Sequence, residues 1–411
     1  MVSIKSLVAL VFLKSAIAAP QASVSPSAVS SASPSASSSV TLTAEETDEL
    51  FSLHEELVNI PSISGDEVEG AEFLSEYLSN LGYYVEEVPV GDTGTFNVFA
   101  YPQELKDEGV WPEVLITSHI DTVPPFYPFE RREENGTVYH FGRGTVDAKG
   151  PVATMIVASH KFFQSRTDTP SLGMLFVVSE ETGGAGMKAF AQYASNITFR
   201  AGIFGEPTEG KLASGHKGSL RVDLDVLGKS SHSAYPWLGV SAINYLTEAI
   251  VALNMLEPAL PRSELLGATT LNAGVIAGGV AGNVVPEHAN ASIVVRIARS
   301  EDDAVDVVQD MMAGMLSPIV ARAKAANATF DVRFSNTTYP APILDTDVEG
   351  LEVAPVFYGT DIPSLPQVEK RYLFGTGTIE VAHTPDEMLS QDELVQAAEA
   401  YGMILESLFS E

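Results

Sequence analysis

Three apolar runs of this chain stop on an acid or a histidine. VLITSHI runs into His119 and Asp121, MLFVVS into Glu180 and Glu181, and AGIFG into Glu206. Short continuous apolar runs of this kind read as strands buried on both faces. Helical patterns such as GPVATMIVASHKFFQS lie between them. Strands alternating with helices predict an α/β sheet with helices on both sides, and ligands of such sheets bind outside the carboxyl ends of the strands. All these polar endings therefore converge on one edge. Asp147, in the glycine-rich loop FGRGTVDAKGP, and His383, in the late segment EVAHTPDE, are the remaining acid and imidazole candidates.

The 411 residues are too many for one ordinary core. Residues Ala44 to Leu81 read as two amphipathic helices, the first with a Thr cap and early Glu, the second closed by Gly82. Near Gly218 the pattern changes. GSLRVDLDVLG alternates as a half-solvated strand, and the elements that follow give the order β-α-β-β-α-β, that of a ferredoxin-like sandwich. That order ends near Tyr339. The expected organisation is a catalytic domain over 43–217 and 340–411, interrupted by an inserted domain over 218–339.

The N-terminus MVSIKSLVALVFLKSAIAAP has a positive start, a short apolar core and a small-x-small site, so residues 1–19 read as a secretory signal peptide. Residues 20–42 read as a Ser/Pro/Ala-rich disordered, O-glycosylated spacer. Sequons at Asn135, Asn196, Asn290, Asn327 and Asn336 agree with export and N-glycosylation, so the expected location is extracellular. The chain has no cysteine, which excludes thiolate-held zinc and thiol nucleophiles. A formal charge of −31 argues against nucleic-acid and anionic-membrane partners. No apolar run beyond the N-terminus reads as a membrane span.

Crowded carboxylates raise one another's pKa, and cations remove that cost. Imidazole and carboxylate donors suit Zn²⁺. Four carboxylates with two histidines exceed one tetrahedral site and suit a pair of metals roughly 3.5–4 Å apart that share a bridging carboxylate. Each residue alone has a bland reading as a loop or turn group; it is the set that points to hydrolysis. A Gly-x-Ser-x-Gly elbow, a P-loop and a His-Glu-x-x-His helix are all absent.

SHIDTVPP, GRGTVDAKGP, SEETGGAG, GEPT and AHTPDE, in that order, resemble the dinuclear zinc exopeptidases and deacylases. That family includes acetylornithine deacetylase, succinyl-diaminopimelate desuccinylase, aminoacylase and glutamate carboxypeptidase, and the chain is most similar to its secreted probable carboxypeptidases. The resemblance spans Glu45 to the C-terminus. It implies a zinc-exopeptidase catalytic domain, a mixed sheet flanked by helices, with an inserted ferredoxin-like α+β lid and dimerisation domain. It implies two Zn²⁺ per subunit: one held by His119 and Glu206, the other by Glu181 and His383, with Asp147 bridging and the Asp147–Ala148 peptide cis. Glu180 takes the role of general base for the zinc-activated water, and Asp121 that of the carboxylate orienting His119. His232 in GKSSHSAYPW corresponds to a histidine that, in dimeric members, reaches the partner's site; this implies a homodimer. Asn283 would line the substrate pocket, Arg296 would grip a substrate carboxylate, and Gly375 and Thr376 would offer backbone contacts.

The expected function is a secreted zinc-dependent carboxypeptidase acting on peptides. The alternative is an N-acyl-amino-acid deacylase. A non-catalytic binding protein is disfavoured because the base and every expected ligand are present. A structural cell-surface protein has only the Ser/Pro tract in its favour. The native metal ion and the preferred side chain stay open.

Overall fold

The computed structural model describes residues 40–92 and 94–410. The signal-peptide reading lies outside them, as does the spacer up to residue 39. Val40, the first described residue, is buried against Gly402.

The first helix, Ala44–Asn59, starts on Thr43, whose hydroxyl accepts from Glu46 N–H while the Glu46 carboxylate accepts from Thr43 N–H. The second is Val68–Asn80, followed by Gly82 at φ +93°. Together with Lys149–Gln164 and Gln391–Phe409, these helices bury their apolar stripes against a six-stranded sheet.

That sheet runs in the order Tyr83–Pro89, Phe96–Pro102, Leu172–Val177, Val114–His119, Phe199–Gly205, Val368–Phe374. The first two strands form an antiparallel hairpin that joins Leu172–Val177 antiparallel; the last four strands are parallel. It is the mixed α/β sheet expected. Val114, Leu115 and Ile116 are wholly buried. At about 1.5–3 kcal/mol per buried aliphatic side chain, they pin the strand and fix His119 at its carboxyl end. The parallel strand ends at Val177, Gly205 and Phe374 lie on that same edge.

A second sheet, all antiparallel, has the order Thr270–Gly278, His288–Ile297, Gly218–Leu227, Thr329–Phe334. Numbered along the chain this is 2-3-1-4, the ferredoxin-like order. Leu220, Val222, Leu224 and Val226 alternate inward against helices Ala242–Leu256 and Ala304–Ala325. Ser219, Arg221 and Asp223, with Val294 and Arg296 of the neighbouring strand, occupy the opposite face.

The helix Ala304–Ala325 is long and apolar enough to cross a membrane by length and composition, which the sequence reading missed. Its buried stripe of Val308, Met312, Leu316 and Ile319 packs in the second core. A third, three-stranded sheet joins Met388–Ser390, Thr137–Phe141 and Glu130–Glu134. Its hairpin turns on Asn135 and Gly136, both at positive φ, as a two-residue Asn-Gly turn requires.

Candidate active site

The parallel strand ends and two loops bring the acids and histidines together. His119 Nε2 lies 3.0 Å from Asp147 Oδ1 and 3.9 Å from Glu206 Oε1. His383 Nε2 lies 3.2 Å from Asp147 Oδ2 and 2.9 Å from Glu181 Oε1. The two oxygens of Asp147 thus face two different histidines. Ligand atoms of His119, Asp147 and Glu181 all lie within 4.8 Å of one another. The Asp147–Ala148 peptide is cis. Ser179, just before the acid pair, and His383 both adopt left-handed backbone (φ +60° and +63°), a conformation that few non-glycine residues adopt.

The electrostatics match a site built for cations. Burial alone would lower the pKa of His119, but Asp121, Asp147 and Glu206 outweigh it and raise it well above the usual imidazole range. Hydrogen bonds to Asp147 and Glu181 push His383 up to about 10. Burial raises Asp147, but its two imidazole partners prevail and hold it low. Burial, then Asp361 and the neighbouring acids, push Glu180 well above the ordinary carboxylate range; burial, then Asp147, Glu180 and Glu181, do so for Glu206. Nitrogen and oxygen donors with no sulfur fit Zn²⁺ or a similar divalent ion, and Asp147, facing both histidines, fits the bridging position.

Asp121 meets both His119 and the neighbouring loop. His119 Nδ1 is 2.9 Å from the Asp121 backbone carbonyl and 3.5 Å from its carboxylate. The carboxylate also accepts from Glu180 N–H at 2.9 Å, Glu181 N–H at 3.2 Å and the Ser64 hydroxyl at 2.7 Å. Gly375 N–H donates to Thr208 Oγ1, its carbonyl accepts from Gly210 N–H and the Thr208 hydroxyl, and Thr376 is buried. The backbone groups of Gly375 are thus already bonded within the protein.

A cleft of about 1060 Å³ opens between this cluster and the bare face of the second sheet, lined by Glu180, Glu206 and His383 on one side and Arg221, Arg296 and Tyr339 on the other. Gly359 has no Cβ because Arg296 Nη1 and the Tyr339 hydroxyl occupy that space. The fold does not bring His232 and Asn283 to the cleft. Both are exposed and sit together, Ser233 N–H donating to the Asn283 carbonyl beside the short pair Ser231–His232 and Val284–Val285. Asn135, Asn196 and Asn327 are exposed; Asn290 is half-buried in a strand; Asn336 is exposed on the cleft wall.

The sequence reading passed over three buried groups. Asp361, beside Gly184, lines the cleft with one carboxylate oxygen unpartnered. Arg143 and Glu387 form a buried ion pair under the Asp147 loop. Both lie inside motifs already singled out, FGRGTVD and AHTPDE, as a basic and an acidic residue without an assigned task.

Residues 115–407 match the model of peptidase family M20/M25/M40. The chain belongs to this family. It is a hydrolase of the peptidase class. A "Probable carboxypeptidase" of Aspergillus terreus is 41% identical over 380 residues, covering 87% of this chain and 86% of that protein. Among solved structures, a tripeptidase from Staphylococcus aureus superposes with a TM-score of 0.72 at 20% identity, over 89% of this chain and 99% of that one. An M20 family metallo-carboxypeptidase from Sulfolobus solfataricus superposes at 0.66 and 19% identity, over 87% and 98%. Both share the fold.

Proposed function

We propose that the chain is a secreted carboxypeptidase whose cleft holds two Zn²⁺ ions: His119 and Glu206 on one, Glu181 and His383 on the other, Asp147 between them. Bound there, the ions would lower the pKa of a water and polarise the scissile carbonyl. Glu180 takes the proton of the attacking water and returns it to the leaving amine nitrogen. Its raised pKa in the metal-free cluster reflects burial beside other acids, and cations bound next to it would bring it down toward the range a base needs.

The observation that carries the carboxypeptidase reading is Arg296. Its guanidinium lines the same cleft as Glu180, and Tyr339 feels the charge of both. A planar guanidinium across from the base suits a C-terminal carboxylate. The relatives named as probable carboxypeptidases support this, and the cleft is roomier than an N-acetyl amino acid needs. The test is turnover of blocked dipeptides with free and amidated C-termini, beside N-acetyl amino acids. Cleavage of the free-acid peptide alone supports the reading; turnover of the N-acetyl amino acids alone makes the chain a deacylase.

Residues 218–339 serve in this reading as lid and dimerisation domain. His232 and Asn283 lie outside their own cleft, where a second copy could use them. Trp237 (73% exposed) and the open edge strand Thr270–Gly278 lie in the same domain. A monomer at micromolar concentration by light scattering would remove the dimer from the proposal. Secretion rests on residues 1–19 and the sequons; N-terminal sequencing of the protein from culture medium tests it.

A further inference from the structure

The loop carrying Asp147 forms neither helix nor strand between residues 142 and 148, so its shape rests on contacts from elsewhere. One carboxylate takes three of its backbone N–H groups. Glu387 Oε1 accepts from Gly144 N–H at 3.0 Å, Val146 N–H at 3.1 Å and Asp147 N–H at 3.2 Å. Its other oxygen takes Arg143 Nη1 at 2.6 Å. The same Nη1 donates to the Thr384 carbonyl at 3.2 Å, and Arg143 Nε to the Pro125 carbonyl at 3.3 Å. The two side chains are 2% and 1% exposed.

Burying such a pair costs several kcal/mol per ion before attraction and hydrogen bonds offset it, and an apolar pair of equal volume is often as stable. Stability alone is therefore a poor reason for this arrangement. What the pair touches is more telling. Glu387 holds the backbone N–H of Asp147, and Arg143 holds the carbonyl of the residue after His383. These are the two sides of the 3.2 Å Asp147–His383 contact. Residue 119, in contrast, is fixed by its own buried strand and owes the pair nothing.

We propose that Arg143 and Glu387 are positioning residues that set the spacing of Asp147 and His383, and so act more strongly on the metal position that takes both of these ligands than on the one that takes His119. This rests on the reading of those two residues as metal ligands. A side chain that merely stabilised the fold would change both positions alike or neither.

The test is calorimetric titration of the metal-stripped full chain with Zn²⁺, checked by Co²⁺ absorption spectra, with melting of the metal-free proteins measured separately. The wild type should take two equivalents; if it takes one or none, the metal reading fails before the proposal is reached. In Glu387→Gln and Arg143→Lys, the weaker equivalent should lose about 10- to 100-fold in affinity, the usual cost of removing a group that orients a ligand, and the other, which shares only Asp147 with it, should lose clearly less. In the double variant Arg143→Met/Glu387→Gln no charge is left buried alone, so its melting temperature should recover relative to Glu387→Gln while the weak equivalent stays weak. Two tight equivalents in Arg143→Lys, or affinity that recovers in step with melting in the double variant, would overturn the proposal. Should Glu387→Gln fail to fold, Arg143→Lys and the double variant decide.

Discussion

The Asp121 carboxylate accepts the backbone N–H of Glu180 at 2.9 Å, so the loop after one strand holds the acid pair that follows its neighbour. Its second oxygen holds Glu181 N–H and the Ser64 hydroxyl. Asp121→Asn keeps the shape but replaces one accepting oxygen by a donor, so one of these contacts must break. The expected result is a fall in kcat of about 10- to 100-fold with His119 still ligating. Steady-state kinetics and metal content measured on the same preparation check it; unchanged kcat would show that the loop holds itself.

The Asp121 carboxylate holds the Glu180 backbone, and burial with the neighbouring acids raises the pKa of the Glu180 carboxyl. Glu180→Ala is expected to lower turnover by about 10²–10⁴-fold, the usual range for a general base. Metal stoichiometry should stay that of the wild type. Loss of a metal equivalent along with activity would make Glu180 a ligand and move the base elsewhere.

Arg296 predicts a split between kinetic constants. Arg296→Ala removes a charge-assisted contact worth about 1.5–3 kcal/mol, so KM for a free-acid peptide should rise by roughly 10- to 100-fold. The corresponding C-terminal amide, which offers no carboxylate, should be affected little by the same substitution. Equal losses on both substrates would place Arg296 in the architecture of the cleft and not at the substrate terminus.

The parts of the site that the sequence disclosed lie where burial leaves a local trace. A parallel strand covered on both faces is a continuous apolar run, and its polar ending stands out; that is how His119, Glu180, Glu181 and Glu206 could be found. Val368–Phe374 belongs to the same sheet, yet VEKRYLF carries Glu369, Lys370 and Arg371. It is an edge strand paired on one side only, and its outer positions stay wet. Arg143 and Glu387 are 244 residues apart, and no spacing rule connects them. The motif around His232 was plain, but its place outside the cleft depends on how the second sheet faces the first, which periodicity does not encode. Asn135-Gly136 was visible as a sequon and served equally as a hairpin turn.

Acid should weaken the fold through three buried histidines that lie outside the strand-end cluster. His54 and His140 meet at 2.9 Å through their Nδ1 atoms. His54 Nε2 lies 3.1 Å from the Thr145 carbonyl, which can only accept, so His54 donates there and its Nδ1 must accept. His140 therefore donates from Nδ1 and accepts Gln391 Nε2–H at its other nitrogen. One more proton on either ring sets two donors against each other. Burial and His140 push His54 down to about 3; burial and Arg131 push His140 down to about 4; burial pushes His216 down to about 4. Each folded-state pKa lies below the unfolded value near 6.5, so the unfolded chain binds protons that the fold refuses. Their cost is absent above about pH 6.5 and grows as pH falls toward 4, reaching on the order of 2 kcal/mol per histidine at pH 5. Thermal melts from pH 7.5 to 4.5 on wild type and His140→Asn test this. The variant should melt lower at pH 7.5, where it has lost a buried partner, yet lose less on acidification, because it carries one fewer refusing ring. The acidic cluster titrates in both proteins and cancels from the comparison. Parallel curves would mean that these rings take no part in the acid response.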